Sequence, residues 1–320
     1  MKIAILYDYQ DVVRNLDCFK ILADYEVKIF NNTYTNIDEL ASQLAEFETI
    51  VLIRERTFIT EELLSKLPKL KLISQTGKIS NHINLDLCKK YNVEVAEGIG
   101  SPIAPSELCW SLIMAASRNI PEYVSNLSQN IWQQSGNLCL GRTLNGLTLG
   151  IWGYGEIGQK IAKYANAFGM NILVLGREAS QILAKEHGFE AISSKEKFFK
   201  ESDIITLHLR LNEATKECVT KADLQLMKPD SLFVNTSRAQ LVQSGALYEE
   251  LSKNPSKRAA IDVYENEPAT KENEPLLSLE NVLCSPHLGY VEKNSYELYF
   301  KIAFENVIAF AKGEAQNLAK

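Results

Sequence analysis

Short apolar runs alternate with amphipathic stretches along nearly the whole chain. The runs at 2–7, 26–30, 49–53, 71–74 and 93–96 read as strands. Between them, 37–46 and 60–67 have helical spacing and carry Asp38-Glu39 and Glu61-Glu62 near their starts, acids that suit the positive end of a helix. Strands joined in this way predict one compact parallel sheet. A long helical pattern at 101–119, with Leu108, Leu112, Ala115 and Ala116, opens around Pro102 and Pro105 and predicts a bridge between two domains. A second set of runs follows at 148–152, 171–175, 204–207, 231–235, 259–262 and 282–284, giving a second sheet of six strands. Last, 295–312 has Leu298, Ile302, Val307 and Phe310 near one stripe and no strand of its own. It is expected to pack back on the first sheet. Residues 1–98 and 291–320 would then form one discontinuous domain around an inserted domain at 99–290. The predicted class is α/β, with two doubly wound parallel-sheet domains.

Composition narrows the function. A chain of 320 residues exceeds the usual size of one core, in keeping with two domains. Its net charge of -6 and pI near 5.5 argue against a nucleic-acid partner. The cysteines at 18, 88, 109, 139, 218 and 284 include no C-x-x-C pair, which predicts reduced thiols and neither a disulfide framework nor a metal site. The start reads as a strand rather than a signal peptide. The longest apolar stretch, 108–116, is interrupted by Ser111 and too short to span a bilayer, so no membrane partner is expected. The expectation is a soluble cytoplasmic protein.

Chemistry enters with Gly153-Tyr154-Gly155-Glu156-Ile157-Gly158. This G-x-G-x-x-G lies between the strand 148–152 and a helical pattern through Ile157, Ile161, Ala165 and Phe168, the context in which it binds a dinucleotide pyrophosphate. Tyr154, Gly155, Glu156 and Ile157 are candidate cofactor residues. The next strand ends at Gly176-Arg177, where an Asp or Glu would hold the ribose hydroxyls of NAD. A glycine and a guanidinium there favour NADP, with NAD the alternative because Glu178 can pair with Arg177.

Charged residues recur where later strands end, and ligands of open α/β sheets bind at strand carboxyl ends. Arg238 follows 231–235 and can grip a carboxylate with two parallel bonds. His287 follows 282–284 and can pass a proton to a forming alkoxide. Glu267, between Asn266 and Pro268, can orient that imidazole and stabilise its protonated form. Asp262 can accept a hydrogen bond from a nicotinamide carboxamide. By the same rule His208-Leu209-Arg210, Thr236-Ser237-Arg238, Asp262, and His287 with Gly289 line the expected cofactor crevice.

In these ordered motifs the whole chain resembles the D-isomer-specific 2-hydroxyacid dehydrogenase family. Gly153–Gly158 is similar to its cofactor turn and Asn235-Thr236-Ser237-Arg238 to its substrate-arginine motif. Asp262-Val263-Tyr264-Glu265-Asn266-Glu267-Pro268 is similar to its aspartate and glutamate motif, and Ser285-Pro286-His287-Leu288-Gly289 to its histidine motif. The resemblance implies a Rossmann-type cofactor domain inserted into a flavodoxin-like substrate domain, cleft closure, and a homodimer built on the cofactor domains with Trp132 near the partner. It implies hydride exchange between a nicotinamide and a small D-2-hydroxy or 2-keto acid of the glyoxylate or hydroxypyruvate type. The family's carboxylate-binding loop corresponds to Thr76-Gly77-Lys78-Ile79-Ser80, where the N–H groups of Lys78 and Ile79 are candidates and Ile79 stands where glycine is frequent. Arg54-Glu55-Arg56-Thr57 is similar to a phosphate-binding segment, which keeps 3-phosphoglycerate dehydrogenase as an alternative. Formate dehydrogenase is disfavoured by Glu267. A dinucleotide-sensing corepressor is the rival of another class.

Overall fold

The computed structural model describes residues 1–320. The chain divides into two compact units, Met1–Ser101 with Glu292–Lys320, and Pro102–Val291.

The terminal unit is built on β1 (Lys2–Leu6), β2 (Glu26–Phe30), α1 (Ile37–Leu44), β3 (Thr49–Ile53), α2 (Glu61–Ser65), β4 (Leu72–Thr76), α3 (Leu85–Lys90) and β5 (Glu94–Ala96). All its strand pairs are parallel, in the order β2-β1-β3-β4-β5. Each helix starts at a side chain suited to the job: Asn36, Thr60 and Asn84 accept main-chain N–H groups of the first turn. The apolar residues of 49–53 are buried along the whole strand, as expected of a sheet covered on both faces. A C-terminal helix, Lys293–Ala311, belongs to this unit. Ser74 Oγ donates to its Ala303 carbonyl at 2.8 Å, and its Glu297 carboxylate accepts the N–H groups of Asp17 and Cys18.

The central unit contains α4 (Ile103–Ser117), α5 (Ile120–Ser128), β6 (Thr148–Trp152), α6 (Glu156–Ala167), β7 (Asn171–Leu175), α7 (Glu178–Glu186), β8 (Glu190–Ile192), α8 (Lys195–Glu201), β9 (Ile204–Leu207), α9 (Lys221–Gln225), β10 (Leu232–Asn235), α10 (Ala246–Lys253), β11 (Arg258–Ile261) and β12 (Val282–Cys284). Its parallel sheet runs β12-β11-β10-β9-β6-β7-β8. The order reverses at β6, so the crevice beside the carboxyl ends of β6 and β9 is the switch point where ligands of such sheets bind. Fully buried Phe198, Phe199 and Phe233 anchor one face, each contributing about 1.5–3 kcal/mol by leaving water.

Two sequence expectations are corrected here. The central sheet has seven strands, not six, because β8 is a three-residue edge strand whose first residue is exposed. The expected single helix at 101–119 ends at Ser117; Asn119 takes a left-handed conformation (φ 52°), and α5 restarts with Pro121 in its first turn. No helix is long and apolar enough to cross a membrane.

Candidate active site

The glycine turn joins β6 to α6, and its three glycines do different work. A Cβ on Gly153 (φ 101°) would lie 2.4 Å from the His208 carbonyl oxygen, and one on Gly158 would lie 2.2 Å from the Gly153 carbonyl oxygen. Both positions therefore exclude side chains because main chain closes on them. A Cβ on Gly155 would meet nothing within 4 Å, and Gly155 begins α6 without any side-chain cap. The uncapped N–H groups of Glu156 and Ile157 thus face open space, which is what a pyrophosphate requires. The residues present fit a dinucleotide.

For Tyr154 the structure narrows the candidate role. Its side chain is buried, and its hydroxyl lies 2.9 Å from His187 Nδ1, leaving only its main chain for a cofactor. At the end of β7, Gly176 is hemmed in: a Cβ there would lie 2.9 Å from Ser180 Cβ. Arg177 is exposed at the start of α7 and forms no ion pair, so Glu178 does not neutralise it.

His208, Leu209 and Arg210 follow β9. The His208 ring is turned to Thr206, with Nε2 3.1 Å from Oγ1, and burial pushes its pKa down to about 3. Its carbonyl and Leu209 border Gly153, while Arg210 is exposed.

The turn after β10 is organised by Asn235. Its buried amide donates to the Arg238 carbonyl at 2.9 Å and accepts the Ser237 N–H at 3.1 Å. Ser237 Oγ is committed to the Leu207 carbonyl at 2.7 Å, and Thr236 is half-buried beside it. The Arg238 guanidinium donates to the Ser237 carbonyl at 2.6 Å and is itself half-buried. Sequence reasoning missed Asn235 as a site residue; an Asn at a strand end, two residues before a turn N–H, was the available signal.

His287 and Glu267 do meet. His287 Nδ1 lies 2.7 Å from Glu267 Oε2, and Glu267 Oε1 accepts the Tyr264 N–H at 3.1 Å. His287 has φ 52°, a conformation that a residue with a side chain adopts only where its surroundings hold it. Asp262 provides much of that hold. It is fully buried and accepts Ser285 Oγ at 2.6 Å, the Leu288 N–H at 2.8 Å and the Gly289 N–H at 3.0 Å. Burial raises its carboxyl above the usual range, against the lowering effect of those bonds. Beyond the expected carboxamide role, the oxygens of Asp262 tie down the histidine loop, and the Gly289 N–H is taken by this bond.

In the terminal unit, Arg54 has φ 51° and donates through its N–H to Thr76 Oγ1 at 2.9 Å. Its guanidinium lies against Gly77, where a Cβ would clash with Nη1, and 3.6 Å from Glu55. Arg56 donates to the Tyr7 carbonyl at 2.5 Å, with its guanidinium 4.4 Å from the centre of the Tyr9 ring. The loop expectation for Lys78 and Ile79 needs correction as well. Glu97 accepts the Ile79 N–H at 3.2 Å, so that donor is engaged, and pairs with the Lys78 ammonium, which leaves the Lys78 main-chain N–H as the loop's candidate donor.

A parallel sheet with a dinucleotide turn at its switch point and a carboxylate-bonded histidine beyond the carboxyl end of another of its strands defines a nicotinamide-dependent oxidoreductase. The chain belongs to the D-isomer-specific 2-hydroxyacid dehydrogenases: the model of that family's NAD-binding domain matches residues 110–289. It is 36% identical to a glyoxylate reductase of Thermococcus litoralis over 80% of this chain and 78% of that one. It is 33% identical to a D-3-phosphoglycerate dehydrogenase of Methanocaldococcus jannaschii over 94% of this chain, but spans only 57% of that relative's length. A solved structure of a phosphoglycerate oxidoreductase from Vibrio cholerae o395 is 62% identical, with a TM-score of 0.97 over 98% of this chain and 99% of that one.

Proposed function

We propose that the protein reduces a small unphosphorylated 2-keto acid, such as glyoxylate or hydroxypyruvate, to the D-2-hydroxy acid, with NADPH preferred over NADH. The carrying observation is the 2.7 Å contact between His287 Nδ1 and Glu267. It leaves Nε2 as the ring nitrogen available to the substrate. A dinucleotide held by its pyrophosphate at the glycine turn would supply a hydride from its nicotinamide to the carbonyl carbon. His287 Nε2 gives the proton to the carbonyl oxygen, Glu267 steadies the imidazolium, and the Arg238 guanidinium holds the substrate carboxylate. Gly155, Glu156 and Ile157 would hold the pyrophosphate through N–H groups, and Arg177 the 2′-phosphate. Two copies of the chain would pair through the apolar face of α5, with Trp132 beside it.

A second reading, oxidation of 3-phosphoglycerate, is favoured by the name of the Vibrio cholerae relative. Against it, Arg56 is spent on Tyr7 and Tyr9, and Arg54 lies beside Glu55. The test is a panel of glyoxylate, hydroxypyruvate, pyruvate and phosphohydroxypyruvate, each with NADH and NADPH. We expect His287→Ala to lower turnover by about a hundred- to ten-thousandfold with cofactor affinity retained. Turnover near wild type would remove His287 from the chemistry. A large advantage for phosphohydroxypyruvate that vanishes in Arg54→Ala would establish the second reading.

A further inference from the structure

Tyr264 bonds to Glu267 and to the turn that carries His287. It lies just beyond β11 and is 7% exposed. Its main-chain N–H donates to Glu267 Oε1 at 3.1 Å, the carboxylate oxygen that does not face His287. Its phenol donates to the Ser285 carbonyl at 2.8 Å. That same carbonyl accepts the N–H of His287 at 3.0 Å, across Pro286. Two donors therefore converge on one oxygen, one from Tyr264 and one from the histidine itself.

The frame around this oxygen is rigid. The Ser285 N–H donates to the Ile261 carbonyl at 2.9 Å, and the Ser285 hydroxyl donates to Asp262. His287 is held at φ 52°, a backbone state that costs about 1–3 kcal/mol and persists only when its surroundings over-determine it. Burial first, and the neighbouring Cys284 second, push the phenol's pKa far above its ordinary value, so it remains a neutral donor across the working pH range.

We infer that Tyr264 is a positioning residue: its phenol and its N–H set the Ser285–His287 turn and the Glu267 carboxylate in one register, keeping Nδ1 on the carboxylate and Nε2 toward the substrate. This rests on the reading of His287 as proton donor and Glu267 as its partner. A phenylalanine fills the same volume, so packing of the ring and bonding of the hydroxyl are separable. Misplacement of a proton donor by a fraction of an ångström is enough to slow turnover without touching cofactor affinity.

The test compares the full-length wild type, Tyr264→Phe, Glu267→Gln and the double variant, with the 2-keto acid that the wild type reduces best. We expect Tyr264→Phe to lower kcat about tenfold with the cofactor Kd unchanged within about twofold. The pH profile of kcat/KM should move in the same direction as in Glu267→Gln. In the Glu267→Gln background the same change should cost less than about twofold, since the contact it protects is already gone. Nitrogen NMR of the histidines supplies a second readout, with the His287 tautomer becoming mixed in Tyr264→Phe. A wild-type kcat in Tyr264→Phe, or independent multiplication of the two effects, would overturn the proposal. If Glu267→Gln alone leaves kcat and pH profile at wild-type values, the reading beneath it fails first.

Discussion

Glu97 changes the chemistry of the loop after β4. The sequence places Lys78 and Ile79 there as donors for a substrate carboxylate, yet the protein supplies a carboxylate of its own. Glu97 accepts the Ile79 N–H at 3.2 Å and neutralises Lys78. Its side chain is 21% exposed, so the contact is partly shielded from water. A hydrogen bond to a charged group contributes about 1.5–3 kcal/mol, and an arriving anion has to compete with it. Glu97→Ala should therefore lower the KM of a 2-keto acid about three- to tenfold, with kcat changed less than about twofold. Steady-state kinetics decide the matter. A raised KM would mean that Glu97 shapes the loop for substrate instead of occupying its donors. This pairing was hidden in the sequence because Glu97 follows β5, and only the parallel alignment of β4 with β5 brings it beside Ile79.

At the scale of elements, what could be read from the sequence was whatever carried both a periodic apolar run and a marked turn. The glycine turn, the strand before it and the helix after it satisfy both conditions, and so do β1, β3 and β10 with their buried runs. The end of β10 placed Arg238, and the runs that became β11 and β12 placed Glu267 and His287, before any geometry was known. β8 escaped because Glu190-Ala191-Ile192 holds no apolar run, only its last residue being buried. α5 escaped because its helical pattern runs on from α4, and the break rests on the left-handed Asn119. Side-chain commitments, such as Tyr154 to His187 and Asp262 to the histidine loop, were beyond reach because they join positions distant in sequence. The start of α7 yields a prediction of its own. An aspartate at 176 is the obvious change toward NADH, but its Cβ would press on Ser180 Cβ in the first turn of α7. Gly176→Asp alone should weaken both cofactors, whereas Gly176→Asp with Ser180→Gly should swing preference to NADH. The ratio of kcat/KM for the two cofactors, measured in all three proteins, checks this. A single variant that already favours NADH tenfold would show that the contact yields easily.

For the whole molecule, the order of the chain sets how its units are completed. The terminal unit is interrupted after Ser101 and resumes at Glu292, and Phe300 and Phe304 of its last helix are among its most buried side chains. Its core therefore cannot close until the helix Lys293–Ala311 has been made, whereas the central unit is continuous. That continuous unit also carries an unusual surface. Ile120, Val124 and Leu127 are 47%, 62% and 53% exposed at helical spacing on α5, and Trp132 and Leu140 beyond it are 71% and 84% exposed. Single exposed apolar residues are ordinary, but a stripe of this kind with an exposed tryptophan beside it is a candidate surface for the proposed pairing. A stable pair buries about 1,200–2,000 Å² in total, within reach of a helix and the loop after it. The charge of -6 keeps the rest of the surface soluble without opposing a local apolar contact. Sedimentation equilibrium of the wild type should give twice the chain mass of 36.0 kDa. Val124→Glu with Leu127→Glu should return it to the chain mass, because a carboxylate buried in an apolar contact without a partner costs more than the contact gains. Circular dichroism should show the monomer still folded, since neither side chain belongs to the core of its own unit. A wild type that sediments at the chain mass across the micromolar range would remove the dimer and leave the stripe to be covered by another partner.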